Sequence, residues 1–263
     1  MKRQLITLLN ACIVFAVLVA LWQALVWLFR IPPYMLPTPW QVAEIIVARF
    51  GPLVSSLLIT AEAAGGGLAM SIMAGVAVAL VFAQSPWLRR MLYPYTILLQ
   101  TVPIIAVAPL ILMWVGSGTW AVTMVAFIIC LAPIIANTTQ GLVSVDENLI
   151  HLFLMHKASP AQILFKLKLP HAMPNLFVGI RISAGISVIG AITGELFAGS
   201  SRVGEGGLGY SILYASSQLQ TAYLFALVIA ATVLGFAFFF LVMFVEWYFL
   251  HNWHESKRTA EVE

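Results

Sequence analysis

The chain has 263 residues, of which 62% are hydrophobic and only 9% are charged, and its mean hydropathy is +0.99. Soluble domains carry about 25% charged residues, so this composition excludes a soluble globular protein and indicates an integral membrane protein. The net charge of +3 comes from scattered basic residues. It excludes a nucleic-acid-binding surface and leaves membrane lipid as the surrounding partner.

Apolar runs long enough to cross a hydrocarbon core about 30 Å thick recur along the chain. The first covers 8–29, which is too long for the apolar region of a signal peptide, so it is predicted to be a retained span. Thr38 and Pro39 then predict the N-cap and first residue of a short amphipathic helix that ends near residue 50. Further spans are predicted at 53–82, 91–115, 120–136, 176–197 and 221–250, with a glycine-rich loop at 199–217.

These elements predict an all-α membrane protein with about six transmembrane helices. The third span contains three prolines, Pro94, Pro103 and Pro109, and is expected to be kinked and interior, because the freed carbonyls need partners inside protein or in a wet cavity. Three regions follow: 1–52 with the first span and an external amphipathic segment, 53–250 as the transmembrane core, and 251–263 as a polar tail.

The distribution of Lys and Arg predicts the orientation. With a cytoplasmic N-terminus, the external segments hold only Arg30, Arg49 and Arg202, whereas the other ten basic residues lie inside or at the inner edge of the fifth span. This bias obeys the positive-inside rule, so both termini and the stretch 146–174 are predicted to be cytoplasmic.

The stretch 146–174 is the longest polar-punctuated interval in the apolar chain. Ser159, Pro160 and Gln162 form a capping box with a first-turn proline, which predicts a short helix at 160–168, and a second short helix is predicted just before it. Apolar side chains such as Phe153 and Phe165 on this loop must be shielded from water by lipid or by another protein. Either the helix pair lies in the lipid headgroups or it docks a soluble partner.

At the same place the chain resembles the cytoplasmic signature of bacterial binding-protein-dependent ABC importer permeases, in which Glu-Ala-Ala, three residues, Gly and nine residues precede Ile-x-Leu-Pro. The spacing is kept from His151 to Lys157 and on to Leu169-Pro170. His151 replaces the acid and Lys157 the glycine, and lysine adopts positive φ less readily than glycine.

Flanking segments are similar to the nitrate, sulfonate, taurine and thiamine-precursor branch of this family, and they cover about 50–250. They are 102–110, 133–141, 179–183, and Gly194-Glu195 followed by Gly207-Leu208-Gly209. The last of these most resemble permeases for pyrimidine precursors of thiamine or for riboflavin. The resemblance implies a type I ABC importer-like permease, with 146–174 as its coupling loop.

The resemblance further implies a homodimer, a cytoplasmic ATPase dimer, and a periplasmic or lipid-anchored solute-binding protein. This chain would bind no cofactor, and ATP and Mg²⁺ would sit on the ATPase. The sequence itself contains no Gly-x-x-x-x-Gly-Lys-Ser/Thr phosphate loop. ATPase coupling is expected at these residues: Leu152, Phe153, His156, Lys157, Ala158, Ser159, Pro160, Ala161, Gln162, Leu164 and Phe165.

Polar and proline residues within the predicted spans are candidates for a translocation path or gate. They are Gln100, Pro103, Pro109, Ser183, Ser187, Thr193 and Glu195. For the hydroxyls the alternative is ordinary hydrogen bonding between helices, and for Glu195 it is a helix-end acid bonded to loop backbone.

Two other charged residues fall in the spans. Glu62 either packs or pairs with Arg181, and Arg181 could instead reach the cytoplasmic headgroups. Gly190 and Gly194 expose a bare face that allows close packing, including packing across a dimer axis.

No metal site or catalytic centre is predicted. His251 and His254 have no third ligand, and an interfacial tail is the preferred interpretation. The glycines at 204, 206 and 209 match a dinucleotide fingerprint but lack a preceding strand, so a flexible loop that gates or meets the binding protein is preferred. The competing function is a self-sufficient secondary transporter or channel, which often shows an inverted repeat that this sequence lacks.

Overall fold

The computed structural model describes residues 2–198 and 206–251. Throughout these residues the chain is built from helices and short connections, without strands. The helices are α1 (Lys2–Leu28), α2 (Pro39–Ala48), α3 (Phe50–Gln84), α4 (Pro86–Thr101), α5 (Ile104–Val115), α6 (Thr119–Val143), α7 (Glu147–Met155), α8 (Pro160–Ile163), a π-helical segment (Leu164–Lys168), α9 (Leu169–Ala198), α10 (Leu208–Ser217) and α11 (Thr221–Leu250). The all-α prediction is confirmed.

Four helices are long and apolar enough to cross a membrane: α3, α6, the continuous helix Pro160–Ala198, and α11. A fifth span is counted if the bent pair α4 and α5 crosses as one unit, and the apolar part of α1 at Ile13–Leu28 is shorter. The predicted total of six spans therefore stays a prediction. The bounds predicted for the last span, 221–250, coincide with those of α11.

The expected third span is not one kinked helix. The chain turns by 102° between α4 and α5, at Val102 and Pro103. Pro103 has no N–H to continue the ladder of α4, and the residue before a proline is driven out of the α region, so Val102 adopts extended backbone with ψ of 122°. The positions of the prolines predicted a kink in this span. The angle of the turn depends on how α4 and α5 pack against α6 and α9.

The predicted boundary between the coupling loop and the fifth span is also wrong. The helix that begins at Pro160 does not stop at Lys168 but continues through the π-helical segment and α9 to Ala198, giving one helix of 39 residues. Pro170 would break an α-helical ladder, because its ring would meet the carbonyl of Lys166. The wider turn at 164–168, where the Leu169 N–H bonds the Leu164 carbonyl, accommodates it.

The glycine-rich segment after α9 was predicted to be a loop through residue 217, yet its second half forms α10. Gly207 is the N-cap of this helix, and the Ser211 N–H donates to the Gly207 carbonyl at 3.0 Å. α10 packs against α9 and α11, and four of its residues are buried: Leu208, Gly209, Ser211 and Ala215. Gly207 and Gly209 therefore allow this helix to pack closely against α9.

The core of the bundle is α6 held between α3 and α9. A Cβ on Gly67 of α3 would lie 2.6 Å from the Ala126 Cβ, and one on Gly190 of α9 would lie 2.9 Å from the Ala126 Cα. Small residues thus bring both helices to backbone contact with α6, as is common in membrane bundles. Gly190 and Gly194 both face α6 of the same chain, so their suggested place at a dimer axis is wrong.

Candidate functional site

The coupling loop begins with α7, whose first turn is capped. The Asp146 carboxylate accepts a hydrogen bond from the Asn148 N–H at 2.8 Å, and Glu147 places a further negative charge at the N-terminus of the helix. At the other end, the Ala158 N–H donates to the Phe153 carbonyl at 3.0 Å and the Lys157 N–H donates to the Leu154 carbonyl at 2.9 Å. These two bonds form a Schellman motif.

Lys157 occupies the left-handed position of that motif, with φ of +54°. Glycine is the usual residue there because it has no Cβ to crowd the following carbonyl. The position at which the family signature has glycine therefore adopts the backbone that glycine favours, although this chain carries lysine. The turn geometry that the sequence did not predict is thereby defined.

The capping box that follows is confirmed. The Gln162 N–H donates to the Ser159 Oγ at 3.3 Å, and the Ser159 N–H donates to the Gln162 Oε1 at 2.8 Å. Pro160 occupies the first helical position, where its missing N–H costs nothing. α7 and α8 are thus joined by only four residues, 156–159, and each flanking helix end has its backbone groups bonded locally.

Most of the predicted coupling residues lie on the outside of this loop. Leu152, His156, Lys157, Ser159, Pro160, Ala161, Gln162 and Phe165 are exposed, and Phe153 and Ala158 are half-buried. Leu164 differs, because its side chain is buried and lines a groove with Ile150 and Ile163. Met155 joins the exposed apolar set and was not predicted. Its exposed fraction, 81%, is among the largest of any apolar side chain in the described chain.

Glu195 is buried and belongs to a polar cluster formed by α3, α9 and α10. The Thr60 Oγ1 lies 2.8 Å from the Glu195 Oε1, and the Gly209 N–H donates to the Glu195 Oε2 at 2.7 Å. The Leu208 N–H donates to the Thr60 Oγ1 at 2.8 Å. The carboxylate therefore lies against the N-terminus of α10, which is the electrostatically favourable end of a helix for a negative charge.

This arrangement corresponds to the alternative in which Glu195 bonds backbone groups. A gating role for Glu195 stays a prediction. Thr60 was missed by the sequence analysis, since a single threonine in an apolar span carries no signal of a partner 135 residues away. Gly204, which completed the dinucleotide-like pattern, and His254 both lie outside the described residues.

The remaining polar candidates on α9 are bonded to helix backbone. The Ser183 hydroxyl donates to the Cys130 carbonyl at 3.0 Å, the Ser187 hydroxyl to the Ala184 carbonyl at 2.8 Å, and the Thr193 hydroxyl to the Ile189 carbonyl at 2.8 Å. All three are buried. Ser183 thus fastens α9 to α6, as the interhelical alternative had it, and a path role for these hydroxyls remains untested.

Gln100 lies at a cavity of about 350 Å³ beside the turn between α4 and α5, which we call the break cavity. Its lining residues come from α4, α5, α6, α9 and the connection at Val102: Leu99, Gln100, Val102, Ile104, Ile129, Pro133, Asn137, Ile182 and Ile186. Asn137 supplies a second amide that the sequence analysis did not select. Pro103 is the N-cap of α5 and Pro109 lies within it, and both are exposed.

The predicted ion pair between Glu62 and Arg181 is wrong. Arg181 pairs with Glu246 of α11, and Glu62 is exposed and makes no hydrogen bond or ion pair within the described residues. The sequence offered no reason to prefer Glu246, because α9 and α11 are brought together only by the fold. The described residues contain no group of three His, Cys, Asp or Glu that could hold a metal ion.

Comparison with known proteins extends this description. Over 86% of its length the chain is 31% identical to 89% of the formylaminopyrimidine transport permease protein ThiX of Halalkalibacterium halodurans. Over 73% it is 35% identical to 71% of the riboflavin transport system permease protein RibX of Chloroflexus aurantiacus.

Among solved structures, the fold is similar to that of a chain from the inward-facing MetNI methionine ABC transporter, CY5 native crystal form. The TM-score is 0.52 at 22% identity, and the match covers 80% of this chain and 98% of that one. Residues 67–249, from the middle of α3 to the end of α11, match the family model for the inner membrane component of binding-protein-dependent transport systems. The chain therefore belongs to this family of ABC transporter permeases.

Proposed function

We propose that the chain is the permease subunit of an ATP-driven importer, which passes a small polar solute from a periplasmic or lipid-anchored binding protein to the cytoplasm. Family membership supports the transport role, and the relatives ThiX and RibX are named for formylaminopyrimidine and riboflavin transport. The solute would be of the thiamine-precursor pyrimidine, riboflavin, sulfonate or nitrate class. With the positive-inside bias, both termini face the cytoplasm.

The single observation that carries the proposal is the coupling loop. It presents exposed apolar side chains, Leu152, Met155 and Phe165, around a turn that is fixed by a Schellman motif and a capping box. A lipid-facing helix pair needs no such defined turn, whereas a rigid protrusion suits a complementary groove on a soluble partner. The partner proposed is an ATPase dimer that binds ATP and Mg²⁺, with one ATPase subunit for each copy of a permease homodimer.

Alternating access would then follow from movement of this protrusion. Closure of the ATPases around ATP brings the two coupling loops together, and each loop continues directly into the helix Pro160–Ala198. The helix bundle responds by opening toward the binding protein, a rigid-body change of a kind that is common in switching proteins. In this mechanism the chain provides the translocation path and the coupling loop, and the ATPase hydrolyses ATP.

Disulfide or maleimide cross-linking tests the proposal. Ala161 is exposed on the coupling loop, so Ala161→Cys, in a chain whose Cys12 and Cys130 are replaced by alanine, is expected to cross-link to the ATPase. Ser217→Cys, exposed at the end of α10, is the matched control and should give no product. An importer that hydrolyses ATP but gives no product from residue 161 contradicts the docking surface. Solute transport by the chain alone, without ATPase, would support a secondary transporter or channel.

A further inference from the structure

The break cavity lies near the middle of α6 and α9 and at the turn between α4 and α5. Pro133 and Asn137 lie in the central and inner part of α6, Ile182 and Ile186 flank the midpoint of α9, and Val102 lies at the turn that divides the bent pair 86–115. Because α6 and α9 are long apolar helices, this places the cavity in the membrane interior. Interrupted helices at that depth are tolerated where they line a cavity, and in transporters they form solute sites.

Both ends of a broken helix meet at this cavity. α4 ends there, so its last carbonyls lack helical partners, and α5 begins there, so its first N–H groups lack them too. The partial negative charge at the end of α4 and the partial positive charge at the start of α5 oppose each other, and the cavity has no dominant sign. It offers hydrogen-bond donors and acceptors together.

The side chains that line the break cavity are also uncharged. Gln100 and Asn137 each carry an amide, which both donates and accepts, and Asn137 uses one donor internally on the Pro133 carbonyl at 2.8 Å. Among the described residues, the other side chains that line the cavity are aliphatic or proline. No formal charge lines the wall. Concave apolar walls with a few converging polar groups are typical of sites for small organic ligands.

We propose that the break cavity is a solute contact site on the transport route, and that the solute it passes is an uncharged nitrogen heterocycle rather than a sulfonate or nitrate anion. This inference rests on the proposed importer function and narrows its solute class. Amide groups on Gln100 and Asn137 would pair with the ring nitrogens, carbonyls or amino groups of the heterocycle. The isoleucines of α6 and α9 would pack against its faces.

The argument against an anion is desolvation. A sulfonate that moves from water to a wall of aliphatic and amide side chains loses part of its hydration, and without an opposite charge on the wall this loss is not compensated. An uncharged ring loses far less, and its polar edge finds both donors and acceptors at the helix ends. The same reasoning disfavours a cation, because no carboxylate lines the wall to compensate for its lost hydration.

The test uses the whole importer, the chain with its ATPase and binding protein, in proteoliposomes. Uptake of labelled riboflavin and of a formylaminopyrimidine is compared with uptake of ethanesulfonate and nitrate. We expect uptake of a heterocycle, and we expect Gln100→Ala and Asn137→Ala each to slow it about fivefold, the loss typical of one hydrogen bond. Gln140→Ala is the matched control, because this exposed amide lies on α6 outside the cavity. It should leave uptake unchanged.

Stimulation of ATP hydrolysis by the binding protein separates the two proposals. Suppose that the binding protein does stimulate ATP hydrolysis. The inference about the solute is then overturned if the importer carries ethanesulfonate or nitrate, if it carries neither heterocycle, or if both cavity variants keep the parent rate. The importer function stands in each of these cases. If ATP hydrolysis is never stimulated and uptake needs no ATPase, the importer function itself fails. A heterocycle carried by the parent and slowed in both cavity variants, with stimulated hydrolysis retained, supports the inference.

Discussion

Thr60 and Glu195 are 135 residues apart in the chain, yet the Thr60 hydroxyl lies within 3.0 Å of both carboxylate oxygens of Glu195. The same hydroxyl accepts the Leu208 N–H, so one threonine joins α3, α9 and the N-terminus of α10. A hydrogen bond to a charged group is worth more than one between neutral groups, and a buried group left without its partner costs the full loss of hydration.

Thr60→Val therefore removes the shared hydroxyl with little change in shape. It leaves the Leu208 N–H without its acceptor and the Glu195 carboxylate with one donor fewer. We expect a loss of about 2 kcal/mol, and a lower Tm by about 5 °C for a chain of this size. Thermal unfolding in detergent measures it. Thr232→Val is the control, because the exposed Thr232 hydroxyl bonds only the Val228 carbonyl of its own helix. Equal Tm changes in the two variants would contradict this role for Thr60.

Lys157→Gly should stabilise the coupling loop. A residue with a Cβ in the left-handed conformation is disfavoured by about 1 kcal/mol relative to glycine, and Lys157 has φ of +54°. Hydrogen exchange should therefore slow at the Lys157 and Ala158 amides, which close the Schellman motif. Lys157→Ala is the control, since it removes the charge and keeps the Cβ. If alanine slows exchange as much as glycine, the lysine charge and not the backbone conformation is responsible.

The Arg181 and Glu246 pair can be tested by a double-mutant cycle. Arg181→Ala and Glu246→Ala each leave a partly buried charge without its partner, whereas the double variant leaves none. We expect each single change to lower the Tm and the double change to lower it by less than their sum, with a coupling of about 1 kcal/mol. Glu62→Ala, at an exposed acid outside the pair, should show no coupling to Arg181→Ala. Additive effects of Arg181→Ala and Glu246→Ala would mean that their contact contributes nothing.

Gly67 tests the packing of α3 on α6. Gly67→Ala places a Cβ 2.6 Å from the Ala126 Cβ and 2.8 Å from the Phe127 nitrogen, so the two helices must separate. We expect a loss of about 2 kcal/mol, seen as a lower Tm. Gly235→Ala in α11 meets no atom within 4 Å and should instead add about 0.5 kcal/mol through helix propensity. We expect the Tm to fall for Gly67→Ala and to rise for Gly235→Ala. A fall in both variants would mean that loss of the glycine itself, and not the contact with α6, lowers the stability.

Local chemistry was readable from the sequence. The capping box at Ser159 and Gln162 and the bounds of α11 involve residues a few positions apart, so residue type and spacing predict them. Thr38 likewise caps α2, as predicted, through the Gln41 N–H at 3.2 Å. Such features need no knowledge of the rest of the fold.

What the sequence did not predict depends on distant partners. The turn of 102° between α4 and α5 depends on how these helices pack against α6 and α9. The hydrogen-bond partners of Glu195 come from two other helices, α3 and α10. The helix that starts at Pro160 was predicted to end at 168, because the π-helical turn that accommodates Pro170 leaves no signature in residue types. The glycines before α10 were interpreted as a loop for the same reason: close packing and flexibility both favour glycine.

The unbroken helix from Pro160 to Ala198 has a mechanical consequence. Its 39 residues extend about 58 Å, so one continuous helix connects the coupling loop to the cluster at Glu195 that contacts α10. α6 packs along this helix from Ala172 to Gly194, so these two helices are expected to move together. A displacement of Pro160 would be transmitted to α10 through this helix, and the π-helical turn at 164–168 with Pro170 and Pro174 is where bending within it is expected.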